Sequence, residues 1–353
     1  MNDKKRVTLD DVAAKAGVTA ATVSFALSGK RTLSPQTKAA IMQAVSDLGY
    51  EPNLHAQRLA TGRSHNEVAL FSLNMDLGVG TRKLQFLQAK LSARGFKAPI
   101  HGYGAMVGHE IEVDRQIIEV VRDLRRQKPR AIVCYTSMLG DEALGELERF
   151  QEEGGTLVCY DFLIGLPCDT VVFDRDDNTY QAARHLLERG HKHLGFFTLG
   201  KVGGPRLDGF ERARREFGVT APPSLLGLGS HLEPEKAGIE MAQQFLALPP
   251  SQRPSGVCIV NDAAALSFIG IVQLQGVRVP HDLSVVGHDN APFAAHCGQV
   301  PLSTVSHPVE KIVEGIAQLL LSRLDKEYDG APRTLTVSGE FVARASTQEF
   351  SGA

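Results

Sequence analysis

Ser28-Gly29-Lys30-Arg31-Thr32 places two cations and two hydroxyls on one short loop, directly after an apolar helical pattern. Such a loop suits phosphate: it fixes register on a nucleic acid without reading bases. Other chemically suggestive groups fit their chemistry less well. His185, His191 and His193 lie near Glu188 and invite a metal, but spacings of six and two do not share one helix face. Gly190 also breaks the segment, so these read as solvated or capping histidines and no metal is expected. Gly200-Lys201-Val202-Gly203-Gly204 follows a strand pattern but lacks both GxGxxG and the Walker lysine–serine pair. It reads as a ligand-facing loop, not a nucleotide cradle. No nucleophile, base and orienting acid form a set, so neither a catalytic site nor a cofactor is expected.

The elements that would position the basic loop are compact. In Thr8–Leu27, TLDDVAAKAGVTAATVSFAL, Thr8 is a candidate cap, with Asp10 and Asp11 in the positive first turn of a helix. Val12, Ala13 and Ala16 recur at helical spacing, and Gly17 supplies the left-handed residue that ends the helix. Thr19 caps a second helix with Val23, Ala26 and Leu27 inward. Helix, glycine turn, helix is the arrangement that presents a recognition helix to a DNA groove. Ser34-Pro35 opens a third helix, with Ile41, Val45 and Leu48 apolar, stopped by Gly49.

At 353 residues and 43% hydrophobic, the chain is long enough for two or three folded domains. Net charge is only −2, yet residues 1–64 carry nine Lys or Arg against five acids, a net of +4 that leaves −6 for the rest. A basic head on an acidic body suits phosphate binding by the head alone. No apolar run approaches the ~20 residues of a membrane span, and MNDKKRVTLDD has no signal-peptide core, so a cytoplasmic protein is expected. Cys134, Cys159, Cys168, Cys258 and Cys297 are scattered and odd in number, and read as reduced core thiols.

These pieces together resemble the lactose/galactose repressor (LacI–GalR) family of bacterial transcription regulators. The resemblance rests on VTLDDVAAKAGVTAATVS, LGYEPN and AQRLATGRS in the first 64 residues. It continues in ERGHKHLGF, RLDGFERA, VCIVNDAAAL, DLSVVGHDN, LSTVSHP and FVARAST, in order from about Val7 to Thr347. It implies an all-α helix-turn-helix head over residues 1–52 and a hinge helix and linker over 53–66. An α/β effector domain like periplasmic sugar-binding proteins follows, with two open parallel-sheet lobes, 67–172 plus 306–332 and 173–305 plus 333–353. The chain would cross between lobes near Phe173, Ser306 and Arg333. The implied partners are palindromic double-stranded operator DNA, a sugar-like effector and a second copy of the chain. No leucine heptad follows FVARAST, so no tetramerising coil is expected. A transport-type sugar binder and a sugar-acting α/β enzyme are the rival readings; the basic head argues against the first.

By the same resemblance, Thr8, Thr19, Ala20, Ala21, Thr22, Ser24 and Phe25 face DNA, with Lys30, Arg31 and Thr32 on phosphates and Asn53, Ala56 and Leu59 in the hinge. Ala20 and Ala21 offer only contact with a thymine methyl. Phe25 replaces an arginine often found there and either touches the groove or packs in the head core. Leu59 is apolar, and from each subunit could wedge into the minor groove and bend the duplex, or pack on the body.

From Glu67 onward, apolar runs alternate with helical patterns, as in βαβ units, and a second set begins near Asp169 with DTVVFD. Open sheets bind ligands beyond the carboxyl ends of their strands, so a cleft between two such lobes is the expected site. The matched effector residues are Ser72, Asn74, Phe173, Arg206, Asn261 and Asp289. Carboxylate and amide acceptors, an arginine fork and an aromatic face suit a polyol. The family's Asn-Pro-Phe-Phe after the first strand is MDLGVG here. Arg175, Lys201 and His288 lie near the presumed cleft and hint at an acidic sugar or sugar phosphate.

Overall fold

The computed structural model describes residues 8–28, 33–48, 50, 66–73, 78–103, 110–137, 139–228, 233–296 and 300–350. The chain divides into two units, Met1–His65 and Asn66–Ala353.

The first unit folds from local signals. Thr8 and Asp11 form a reciprocal capping box that opens α1, Leu9–Ala16, and Gly17 ends it at φ 67°. Thr19 Oγ1 accepts from Thr22 N at 3.2 Å and opens α2, Ala20–Ser28. Ser34 Oγ likewise accepts from Thr37 N at 3.1 Å before α3, Pro35–Leu48. Val12, Ala13, Val23, Ile41, Ala44 and Tyr50 make the small core. Lys15 ties α1 to α3 through Asp47 at 3.0 Å.

The second unit holds two six-stranded sheets. In chain order the first contains β1 (Val68–Leu73), β2 (Ile100–Tyr103), β3 (Ala131–Tyr135), β4 (Thr156–Asp161), β5 (Asp169–Phe173) and, much later, β11 (Thr334–Val337). The second contains β6 (Leu194–Leu199), β7 (Ser224–Leu228), β8 (Gly256–Ile259), β9 (Ser284–Asp289), β10 (Ser303–Ser306) and β12 (Phe341–Val342). Their spatial orders are β2-β1-β3-β4-β5-β11 and β7-β6-β8-β9-β10-β12. Every pairing is parallel except β10 with β12.

Helices cover both faces of each sheet, which explains strands that are apolar throughout. In β1, Val68 and Leu70 pack with Leu84, Leu87 and Ile316, while Ala69 and Phe71 pack with Val121, Leu147 and Phe150. In the second sheet, Val257 and Ile259 meet Met241 and Phe268, and Cys258 meets Leu186 and Phe210. Cys134, Cys159, Cys168 and Cys258 are buried thiols; Cys297 lies outside the described residues. Among the described residues, no helix is long and apolar enough to cross a membrane.

One boundary agrees with the sequence reading to within a residue and one differs. DTVVF, where the second set of alternating runs begins, is β5, paired with β4 in the first sheet, as a lobe boundary after 172 requires. The tail 333–353 is not wholly in the second lobe, because β11 pairs with β5 and only β12 joins the second sheet. The last crossing therefore follows Val337 rather than Arg333. Edge strands contributed by a distant segment have no local signature, so their sheet is decided by pairing. The three crossings lie side by side. Asp174 N donates to Val337 O at 3.0 Å, Ser306 N to Glu340 O at 2.9 Å, and His307 N to Asp289 O at 3.1 Å.

Candidate functional site

The crossings and the carboxyl ends of several strands gather ionisable side chains from both lobes. Asp161 ends β4 at φ 96° and Asp289 ends β9 at φ 106°. Such left-handed backbone is uncommon outside glycine and collects at functional sites. Arg175, first residue of the helix Arg175–Glu188, reaches across from the second lobe. Its Nη2 donates to Asp161 Oδ2 at 2.7 Å and its Nη1 to Asp161 O at 3.0 Å. The guanidinium lies 3.7 Å from the Phe162 ring centroid. Lys83, from the helix Val79–Ser92, stands 3.8 Å from Asp161 Oδ1 and 5.2 Å from the Tyr160 ring centroid. His307, on the second crossing, has Nδ1 3.8 Å from Asp289 Oδ1, and its ring lies 4.0 Å from that of Phe173.

Burial sets the charge states. It would raise the Asp161 carboxyl, but Lys83, Arg175 and His307 hold it well below the usual range. Burial lowers Lys83, and Arg175 adds to that, against Asp161 and Asp289. Arg206, in the first turn of the helix Gly204–Glu216, is brought down to about 10 by burial and then by Arg175. Burial, with Asp262 beside it, pushes Asp289 up to about 7, against Arg206 and Lys83. His288 Nδ1 donates to Ile259 O at 2.9 Å, and burial brings that imidazole down to about 4, so it is neutral. Among the described residues, the opposite nitrogens, His288 Nε2 and His307 Nε2, are buried without a hydrogen-bond partner, as is Asp161 Oδ1. A polyol has the hydroxyls to meet such atoms.

The sequence-derived set is partly assembled here. Asp289, Arg206 and Phe173 belong to the cluster through the charges and rings just described. Ser72, near the end of β1, is buried beside the Tyr160 hydroxyl. Asn261 caps the helix Asp262–Leu274, its Oδ1 accepting from Ala264 N at 2.8 Å, beside the buried Asp262. Asn74 lies outside the described residues. Of the three extra cationic candidates, Arg175 is occupied by Asp161, His288 is neutral, and Lys201 is exposed. Lys83, Asp161 and His307 escaped the sequence reading. Asp161 carries the same signal as Asp289, an acid at the carboxyl end of an apolar strand; Lys83 sits in an ordinary helical pattern with no such signal.

On the head, Thr8, Thr19, Ala21, Ser24 and Phe25 are exposed, Thr22 is half-buried, and Ala20 turns partly onto the core. Phe25 is 36% exposed and is not among the residues packed in that core. Lys30, Arg31, Thr32, Asn53, Ala56 and Leu59 lie outside the described residues. The three histidines are structural contacts: His185 stacks on Phe341 and bonds Thr347, His191 bonds Ser255 and donates to Gln348 O, and His193 meets Ser224.

A basic helix-turn-helix head followed by two parallel-sheet lobes with a charged junction has clear counterparts. Residues 8–53 match the bacterial regulatory proteins, lacI family, and residues 183–347 match the periplasmic binding protein-like domain. The HTH-type transcriptional regulator GalS of Salmonella typhimurium is 31% identical over 339 residues, 94% of this chain and 92% of GalS. The chain belongs to the LacI family of transcription regulators. Another relative, the HTH-type transcriptional regulator DegA of Bacillus subtilis, is 27% identical over 97% of this chain and 98% of its own. Among solved structures, the transcriptional regulator CelR–cellobiose complex shares 25% identity at TM-score 0.66, covering 97% of this chain and all (100%) of CelR. The lac repressor dimer bound to operator and the anti-inducer ONPF has TM-score 0.71 at 22% identity, over 98% of this chain and 100% of its own, a likeness of fold. The LacI-family fold expected from the sequence is therefore the fold of this chain.

Proposed function

We propose that this LacI-family regulator is a repressor of carbohydrate uptake or catabolism genes, acting in the cytoplasm as a homodimer on palindromic operator DNA. A small sugar-like ligand between the lobes controls its operator affinity. The observation that carries the reading is the joining of two features in one chain. A helix-turn-helix head with net charge +4 precedes a pair of lobes whose junction holds buried polar atoms lacking partners among the described residues. A ligand seated there contacts both lobes and shifts DNA affinity to the extent that it prefers one lobe arrangement.

In this reading Thr19, Ala21, Thr22, Ser24 and Phe25 face the major groove. Thr8 and Lys30-Arg31-Thr32 fix the phosphates, and Asn53, Ala56 and Leu59 form the hinge contact. Ser72, Asn74, Phe173, Arg206, Asn261 and Asp289 surround the effector, with Phe173 offering a ring face to the sugar's CH surface. The cellobiose complex of CelR supports the choice of a sugar. Genomic footprinting of the purified chain, beside a truncation comprising 66–353, tests the reading. The whole chain is expected to protect palindromic sites next to transport or catabolic genes, and the truncation none; equal protection by both would overturn it.

A further inference from the structure

The cations at the lobe junction outnumber the carboxylates able to balance them. Lys83 and Arg206 both interact electrostatically with Asp161 and Asp289, and Arg175 interacts with Asp161. Asp161 is matched by Arg175, which donates to its side chain at 2.7 Å and to its carbonyl at 3.0 Å. Lys83 is left 3.8 Å from the other oxygen, beyond hydrogen-bond reach, although its side chain is only 5% exposed. Arg206 makes no hydrogen bond or ion pair among the described residues, and Asp289 meets only His307, at 3.8 Å. Its carboxyl, raised to about 7, carries only part of a charge at neutral pH.

Lys83 is a buried ammonium whose carboxylate partner stays beyond hydrogen-bond distance, and Arg206 is half-buried; such cations suit a ligand that supplies the anion. Lys83 comes from the first lobe and Arg206 from the second, so an anion between them engages both. We propose that the effector is an anionic polyol, a sugar derivative bearing a carboxylate or phosphate, whose negative group is received by Lys83 and Arg206. Its hydroxyls meet Asp289, His288 Nε2 and His307 Nε2. This rests on the interlobe ligand site of the preceding section and names the chemical class that site takes.

The test uses the full chain and matched probes: neutral aldoses, the corresponding uronic and aldonic acids, and the aldose 6-phosphates. Melting temperature and operator affinity are followed with each. One anionic set is expected to act at concentrations at least tenfold lower than its neutral counterparts, and the responding set identifies carboxylate or phosphate. Lys83→Met should cut that preference tenfold or more, and Lys83→Arg should preserve most of it. Without ligand, Lys83→Met should melt no lower than the wild type, because Asp161 keeps Arg175. A clear loss of stability would make Lys83 a structural partner of Asp161 and overturn the proposal. A neutral sugar acting as well as its acid would also overturn it, while leaving the regulatory reading in place. If no probe raises the melting temperature the charge proposal falls, and footprinting alone then judges the regulator.

Discussion

At the scale of single residues, the junction is tuned by burial more than by contact. The Asp289 carboxylate meets no donor among the described residues at hydrogen-bond distance, yet burial raises it from 3.8 to about 7. A carboxyl raised by folding lends stability below its unfolded value, and that stability is lost as pH rises through the folded one. Between 3.8 and about 7 the unfolded chain releases this proton while the native chain holds it. The ligand-free wild type should therefore lose up to about 1.4 kcal/mol per pH unit relative to Asp289→Asn across that window. Asp262, also raised to about 7 by burial, is present in both proteins and coupled to Asp289, so the difference reports the pair. Urea unfolding of the two proteins at several pH values checks this, and parallel pH dependences would refute it. At the same scale, the exposure of Phe25 leaves an aromatic surface on α2.

Among elements, the lobes are joined by three chain crossings that meet tightly at one glycine. Gly339 N donates to Asn178 Oδ1 at 2.7 Å, and a Cβ on Gly339 would fall 1.9 Å from the Ser306 carbonyl oxygen. That neighbour is backbone and has nowhere to turn. Gly339→Ala should separate the second crossing from the third and cost roughly 1–3 kcal/mol, the range for overpacking. Thermal melting of the full chain measures it; an unchanged transition for the lobes would mean that the crossings yield. Elements were also where the sequence was most legible. Thr8, Gly17, Thr19 and Ser34 mark helix ends by local chemistry, and each end lies where those residues stand. Asp161 was equally legible in principle, since TLVCYD and SVVGHD are the same pattern, an apolar strand ending in an acid.

For the whole molecule, the charge is divided between units: +4 in residues 1–64 and −6 beyond them. Operator binding through two such heads releases condensed counterions at several phosphates. Affinity should then fall roughly 10³-fold between about 50 and about 200 mM salt. Filter binding or anisotropy across that range decides it. A flat response would remove the phosphate contacts assigned to the head. The acidic body contributes little to this slope, so its own ligand binding can respond to an anion without competing for DNA phosphate.

The sequence by itself determined the head and the alternation of strands and helices, and it set the expectation of a site beyond strand ends. Those follow from caps, periodicity and charge spacing, which act over a few residues or along one element. Only the tertiary structure decided which sheet takes β11, that Phe25 stands outside the head core, and that Arg175 neutralises Asp161. It alone also brought Lys83 to the lobe junction. Sheet membership is set by hydrogen bonds between strands far apart in the chain, as when Thr170 N donates to Arg333 O at 2.8 Å. The charge of a buried lysine depends on neighbours 78 to 206 positions away, Asp161 and Asp289, which no local pattern specifies.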